Sequence, residues 1–191
     1  QLYIEHGGGG QARESYETML YYYWKHCELQ NTEVPFLFII GDEGFYEKVR
    51  GEHRRKYLGE PLAADVSAEA VFEAIQHKFA GNVFLLHLPY GGGDAQIVSQ
   101  WRGMLGENVI NLEDPTLVVE VMLGIIAMTM NKRSMKTYLD DFRVLYQADR
   151  LKSAKPGADD TEDKIRTMRK ILAPYSQSVN ALAKVQVEGG L

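Results

Sequence analysis

The chain has 191 residues and a formal net charge of −5, with 45% hydrophobic and 25% charged residues. These values are typical of a globular protein of one domain, or of one domain with an appendage. The negative charge argues against a general nucleic-acid binder, because phosphate contacts need clustered Lys and Arg. The one evident basic cluster is the short segment RGEHRRK. A single cysteine, Cys27, excludes an intramolecular disulfide framework and a cysteine-rich zinc site.

The sequence carries no membrane or export signal. No apolar run reaches the roughly 18 residues of a membrane-spanning helix, and the longest candidate, TLVVEVMLGIIAMTM, contains Glu120. No signal peptide is visible. We therefore expect a cytoplasmic protein that binds neither membranes nor nucleic acid. The chain begins at Gln1 rather than at methionine, which we interpret as a truncation or a processing site.

Predicted strands and helices alternate along the first 131 residues. The strands lie in the segments LYIEH, VPFLFIIGDE, NVFLLHLPY and NVINLED, and the helices in RESYETMLYYYWKHC, SAEAVFEAIQHKFAG, DAQIVSQWRGMLG and DPTLVVEVMLGIIAMTM. The segment EGFYEKVRGEHRRKYLG is expected to be helical in part. Unbroken apolar strands are typical of parallel sheets that are covered on both faces. The pattern predicts an α/β fold with a doubly wound, mainly parallel sheet in residues 1–131.

Capping residues mark the expected helix boundaries. Ser67 and Asp94 are predicted N-caps, and Asp114 followed by Pro115 is a strong start signal. Gly81 and Gly106 are predicted stops. His87 lies in a buried strand pattern and is interpreted as a core histidine.

Residues 132–191 are predicted to form a helical C-terminal appendage. The first helix carries an apolar stripe of Met135, Leu139, Phe142 and Tyr146, which needs cover from its own domain or from a neighbour. We expect Met135, Leu139 and Phe142 to contact a partner or a second copy of the chain. A linker, AKPGADD, precedes a second helix that is expected to break at Pro174.

The segment FIIGDEG places two carboxylates at the end of a buried strand. Ligands of open parallel sheets bind beyond the carboxyl ends of the strands, where Asp42 lies. Mg²⁺ accepts one or two carboxylates from such loops and keeps several waters. The alternative is that Asp42 caps a following helix or forms an Asx turn.

The glycine run before the first helix is not a known phosphate loop. Gly10 is followed by Gln11, Ala12 and Arg13, so the lysine of a P-loop is missing, and consecutive glycines do not match G-x-G-x-x-G. The run is either a flexible connection or a loop that brings the backbone close to a metal. In the second case Glu14 or Ser15 would offer an oxygen ligand at the helix start.

The order of these pieces resembles a von Willebrand factor type A domain of the intracellular bacterial kind, over about residues 2–130. The matching segments are YIEHGGGGQARESYETMLYYYWKH, FLFIIGDEGFY, VFLLHLPYGGG and WRGMLGENVINLEDPTLVVEVMLGIIAMTM. The resemblance implies a metal-ion-dependent adhesion site, in which three loops hold a divalent cation whose open position takes a partner's carboxylate. It implies that Asp42 is the aspartate of the third loop. Glu14, with Ser15 as the other candidate, would replace the threonine of the second loop, and Gly9, Gly10 and Glu43 would border the partner.

The Asp-x-Ser-x-Ser motif of the family's first loop does not occur in the chain. In the family this motif ends a central strand, which a sheet cannot omit without leaving backbone groups unpaired in the core. We therefore expect that a preceding segment or another chain supplies it. Without that loop we expect Mg²⁺, or another divalent cation, to bind weakly or not at all, and we expect a functional cation site only when the loop is present.

Three functions remain open. The first is a non-enzymatic interaction module that binds partner carboxylates through the cation, and the resemblance implies an AAA+ ATPase of the MoxR class as a candidate partner. The second is a Mg²⁺-dependent hydrolase or phosphotransferase that uses Asp42. The third is a structural subunit without a metal site, assembled through its C-terminal helices.

Overall fold

The computed structural model describes residues 12–152 and 159–188. The fold class is mixed α/β, as the alternation of predicted strands and helices indicates. Among the described helices, none combines the length and the apolar character needed to cross a bilayer.

The longest strands form one three-stranded sheet, while the others pair as two-residue ladders. The strands are β1 Arg13–Glu14, β2 Leu37–Gly41, β3 Gly44–Phe45, β4 Lys48–Val49, β5 Val66–Ser67, β6 Val83–His87 and β7 Val109–Asn111. The sheet has the order β2-β6-β7, β1 pairs with β3 in parallel, and β4 pairs with β5 in antiparallel fashion. Leu37 N donates to Asn82 O at the starts of β2 and β6, and Leu112 N donates to His87 O at the ends of β7 and β6. β2 and β6 are thus bonded start to start, and β6 and β7 are bonded end to end. The three strands therefore run parallel, as predicted.

The helices follow the predicted order. They are α1 Tyr16–His26, α2 Gly51–His53 with a π-helical continuation Arg54–Leu58, α3 Ala68–Lys78, α4 Asp94–Leu105, α5 Val118–Thr129, α6 Met135–Lys152 and α7 Thr161–Glu188. The segment that was expected to be partly helical contains β3, β4 and α2. Short 3₁₀ turns, Gly106–Asn108 and Pro115–Leu117, precede β7 and α5.

The predicted caps are confirmed at two of three helix starts. Ser67 accepts a hydrogen bond from Ala70 N, and Asp114 accepts one from Thr116 N. The prediction for Asp94 is wrong, because Gly93 is the N-cap of α4 and Asp94 is its first residue. The Asp94 carboxylate instead accepts from the backbone N–H groups of Tyr90 and Gly91, and so closes the glycine loop before the helix.

The expected break at Pro174 is also wrong, since α7 runs through it. A proline inside a helix removes one backbone hydrogen bond and crowds the preceding turn. Here its neighbours Ile171, Leu172 and Tyr175 are buried, and this packing holds the helix together across the proline.

The chain divides into two compact units. Among the described residues, the first unit contains 12–85 and 90–109, and the second contains 86–89 and 110–188. In the first unit α1 packs against α3, and the core is built around Trp101, which is fully buried. In the second unit α5, α6 and α7 pack on one another. The domain boundary after residue 131 stays a prediction.

Leu139 and Phe142 of the predicted apolar stripe are buried in the second unit, and Met135 is half-buried. The sequence left open whether the stripe packs against its own domain or against a neighbour. Leu139 and Phe142 pack against the chain's own helices. A role in partner binding for these three residues stays a prediction, and it would require α6 to separate from α7.

Candidate functional site

The Tyr16 phenol links two of the predicted ligands. Burial raises its pKa, and so do its hydrogen bond to the Glu14 carboxylate and the charges of Glu14 and Asp42, while a backbone hydrogen bond from Asp42 acts in the opposite direction. The phenol lies directly against Gly41, where an added Cβ would be 2.0 Å from the Tyr16 hydroxyl oxygen. The glycine before Asp42 therefore makes room for the side chain that connects Asp42 with Glu14.

A second phenol connects the loops that follow β2 and β6. The Tyr90 hydroxyl donates to Glu43 Oε1 at 3.0 Å. This hydrogen bond raises the pKa of Tyr90, and the charges of Glu43, Asp42 and Asp94 act in the same direction. The carboxyl ends of neighbouring parallel strands thus meet, as expected for this sheet. We refer to Glu14, Asp42 and Glu43, with Tyr16 and Tyr90, as the acidic edge.

The middle of α4, far along the sequence, holds the backbone of the acidic edge in place. Trp101 Nε1 donates to Glu43 O at 2.9 Å. The Gln100 amide donates to Phe45 O at 2.9 Å and accepts from Phe45 N at 3.3 Å, so it pairs with β3 as a neighbouring strand would. On its other side β3 pairs with β1 in the register Arg13 with Gly44 and Glu14 with Phe45. Glu14 is therefore fixed next to the loop that carries Asp42 and Glu43.

Sequence reasoning missed four residues of this arrangement: Tyr16, Tyr90, Gln100 and Trp101. Tyr16 and Trp101 read as apolar positions of amphipathic helices, and Gln100 is an ordinary polar neighbour. Only Tyr90 carried a sequence signal for a site role. It follows a predicted strand and precedes a glycine run, just as Asp42 follows the strand β2.

The remaining predicted site residues have other surroundings. Ser15 lines a cavity together with Arg13 and Glu17, and neither Glu14 nor Asp42 is among the lining residues of that cavity. Gly9 and Gly10 lie outside the described residues. The element that follows Asp42 is the strand β3, so the alternative that Asp42 caps a helix is wrong, while an Asx turn at Asp42 stays a prediction.

The acidic edge offers carboxylate oxygens but, among the described residues, no complete set of metal ligands. One oxygen of Glu43, Oε2, is buried and has no hydrogen-bond partner among the described residues, which is costly for a carboxylate. No group of three or more His, Cys, Asp or Glu side chains in the described ranges is close enough together to hold a metal by itself. Mg²⁺ needs only one or two carboxylates when water fills its other positions, so a full cage of protein ligands is not required.

Comparison of the chain with protein-family models, with curated proteins and with solved structures found no match.

Proposed function

We propose that the chain is a protein-interaction module whose acidic edge binds a partner's carboxylate through Mg²⁺ or a similar divalent cation. The observation that carries the proposal is that the charges of Glu14 and Asp42 both act on the Tyr16 phenol, and that the next residue, Glu43, is held at the same strand end by the Tyr90 hydroxyl. Carboxylates that are gathered without a cation repel one another, and a divalent cation relieves that repulsion.

In this proposal Asp42 and Glu14 hold the cation, and Glu43 borders the partner. The cation supplies a coordination position that a partner carboxylate can occupy. The chain's own residues position the ligands: the Tyr16 hydroxyl orients Glu14, and Trp101 and Gln100 fix the backbone on both sides of Gly44.

The resemblance to von Willebrand factor type A domains supports the same proposal. It favours a doubly wound arrangement of the parallel sheet, a third-loop role for Asp42, and an AAA+ ATPase of the MoxR class as a candidate partner. Because two carboxylates are few ligands for a cation, we propose weak binding by this chain and tighter binding when a first loop is added.

Calorimetric titration with Mg²⁺ tests the proposal. The native chain should give a weak, saturable signal that Asp42→Asn abolishes. The control is Asp163→Asn, which removes an equally charged, exposed side chain from α7. Equal signals from the native chain and Asp42→Asn would remove Asp42 from the site. A loss in both variants would indicate nonspecific binding to surface charge.

A second candidate function, assembly, is favoured by the outward face of α6. Val144 and Leu145 are each 67% exposed and Leu151 is 88% exposed, which is unusual for large apolar side chains on one helix. We propose that this face, rather than the buried stripe, supports self-association of the chain. Light scattering should show a smaller assembly for Leu145→Glu than for Gln147→Glu, which adds the same charge on the same helix. Identical masses for the native chain and both variants, all monomeric, would contradict it.

A further inference from the structure

A cavity of about 310 Å³ lies in the first unit, separate from the contacts of the acidic edge. Its walls come from the junction of β1 with α1 and from the segment between β3 and α2. The lining residues are Arg13, Ser15, Glu17, Tyr46, Glu47, Lys48, Arg50 and His53. We call this space the basic cavity. Its volume is at the lower end of the range for small-molecule sites, about 300 to 1,000 Å³.

The two sites use alternate residues of one short segment. Arg13, Ser15 and Glu17 line the basic cavity, whereas Glu14 and Tyr16 contact the loop of Asp42. Arg13 and Glu14 are consecutive residues of the short strand β1, whose side chains point to opposite faces, and Tyr16 and Glu17 are consecutive residues of the first turn of α1, about 100° apart around the helix. A ligand of the basic cavity would therefore not compete with a cation at the acidic edge.

The exposed part of the cavity is cationic. Arg13, Lys48 and Arg50 are exposed at its mouth, with the half-buried His53 beside them. Arg13 has a long contact of 3.4 Å with Glu47, whose side chain is 79% exposed, while Lys48 is paired with Asp65 at 2.6 Å. One arginine side chain can donate two parallel N–H···O bonds to a phosphate, whereas a lysine acts as a single point charge. Arg13 and Arg50 therefore suit a phosphate group.

The inner part of the cavity is a buried carboxylate. Glu17 is 2% exposed and accepts hydrogen bonds from the Thr18 hydroxyl at 2.8 Å and from Tyr46 N at 3.1 Å. Burial raises its pKa, because a charged group is poorly solvated there. A buried carboxylate of this kind repels a bare anion, but it gains from a ligand that brings an N–H or O–H donor.

From this arrangement we propose that the basic cavity binds a small phosphate monoester that also carries an ammonium or hydroxyl group. The phosphate lies at the mouth with Arg13 and Arg50, and the donor group reaches Glu17. Binding needs both groups of the ligand, because the mouth of the cavity is cationic and its interior is anionic.

Calorimetry with two probes tests the proposal. Phosphoethanolamine carries a phosphate and an ammonium group, whereas ethyl phosphate lacks the ammonium group. The native chain should bind phosphoethanolamine more tightly than ethyl phosphate. Arg50→Gln should weaken phosphoethanolamine binding about tenfold, the loss expected for a charged hydrogen bond. Arg55→Gln, an identical change at an exposed site outside the cavity, should have no effect.

The preference between the probes tests Glu17 separately. Glu17→Gln should bind the two probes with similar affinity, while a variant at an exposed carboxylate of the mouth, Glu47→Gln, should keep the native preference. Urea unfolding of each variant checks that it is folded. Equal weakening by Arg50→Gln and Arg55→Gln, no preference in the native chain, or no saturable binding would each overturn the proposal.

Discussion

At the scale of single residues, Gly41 decides how the acidic edge is built. Any side chain at this position would overlap the Tyr16 phenol, whose hydroxyl oxygen would be 2.0 Å and whose Cζ would be 2.7 Å from the new Cβ. Tyr16 is itself packed edge-on against Trp101, with ring centroids 5.3 Å apart, so it cannot move away without disturbing the core. The glycine is therefore required by a close approach and not by its backbone angles.

We expect Gly41→Ala to destabilise the chain by about 1–3 kcal/mol, the usual cost of overpacking. The cost should be smaller in a Tyr16→Phe background, because the closest atom is then gone. Urea unfolding of the native chain, both single variants and the double variant measures this coupling. Strictly additive effects would show that the two residues are not in contact.

Glu17 provides a test of pH dependence. Its folded-state pKa is raised from the ordinary value of 4.5 by burial. The folded state therefore holds this proton more tightly than the unfolded state, and stability falls as the pH rises from 4.5 through the folded pKa. Glu17→Gln cannot titrate, so the native chain should lose stability relative to this variant over that range.

The measurement is the free energy of unfolding in urea at a series of pH values. Glu47→Gln, at an exposed carboxylate, should follow the native curve. A constant difference between the native chain and Glu17→Gln at all pH values would show that the pKa of Glu17 is the same in both states.

The positions of Asp42 and Glu14 in the fold could be read from the sequence, because each stands where a predicted element ends or begins; their role as ligands stays a prediction. The residues that hold the loop of Asp42 in place, Trp101 and Gln100, could not be predicted. The hydrogen bond from Trp101 to Glu43 joins residues 58 positions apart, and Gln100 reaches Phe45 over 55 positions. Local patterns contain no information on such pairings, so the supporting residues became visible only in the folded chain.

At the scale of elements, the helices of the second unit meet at Gly124. A Cβ at this position would be 2.8 Å from Tyr138 Cε1 on α6 and 2.9 Å from Leu172 Cδ1 on α7. The Tyr138 hydroxyl also donates to the carbonyl oxygen of Glu120 on α5, and burial raises the pKa of Tyr138 to about 12. Gly124 thus lets α5 approach both of the other helices.

We expect Gly124→Ala to lower the free energy of unfolding by about 1–3 kcal/mol, because two neighbouring helices would have to shift. Gly103→Ala is the matched control within α4, where an added Cβ meets nothing within 4 Å. That change should stabilise its helix by up to about 1 kcal/mol through the better helix propensity of alanine. If both variants lost equal stability in urea unfolding followed by circular dichroism, the close approach at Gly124 would not be the cause.

Long periodic elements were predictable, and two-residue strands were not. The helical spacing of α1, α3 and α4 and the unbroken apolar runs of β2 and β6 are local signals. By contrast, β1, β3, β4 and β5 exist only through pairing with distant residues, such as Arg13 with Gly44. Strand formation depends strongly on such context, so the strands within residues 44–49 were not predicted, whereas the helical part of the same segment, residues 51–58, was.

At the scale of the whole molecule, the net charge of −5 conceals two opposite local charges in the first unit. The acidic edge gathers carboxylates at the strand ends, and the basic cavity gathers Arg and Lys beside the same β1 segment. The composition gives only the net charge of the whole chain, and on that basis it argued against nucleic-acid binding in general. The local separation comes from the directions in which consecutive side chains of β1 and of the first turn of α1 point, and the sequence alone does not show which neighbours they meet.

The most direct test of the proposed cation site is paramagnetic broadening of backbone amide signals by Mn²⁺, which substitutes for Mg²⁺ at oxygen ligands. In the isotope-labelled chain, low Mn²⁺ should first broaden the signals of Glu14, Asp42, Glu43 and Tyr90, and Asp42→Asn should remove this selectivity. Broadening that starts at exposed carboxylates such as Asp140 or Asp163, or that is unchanged by Asp42→Asn, would contradict a cation-binding role for the acidic edge.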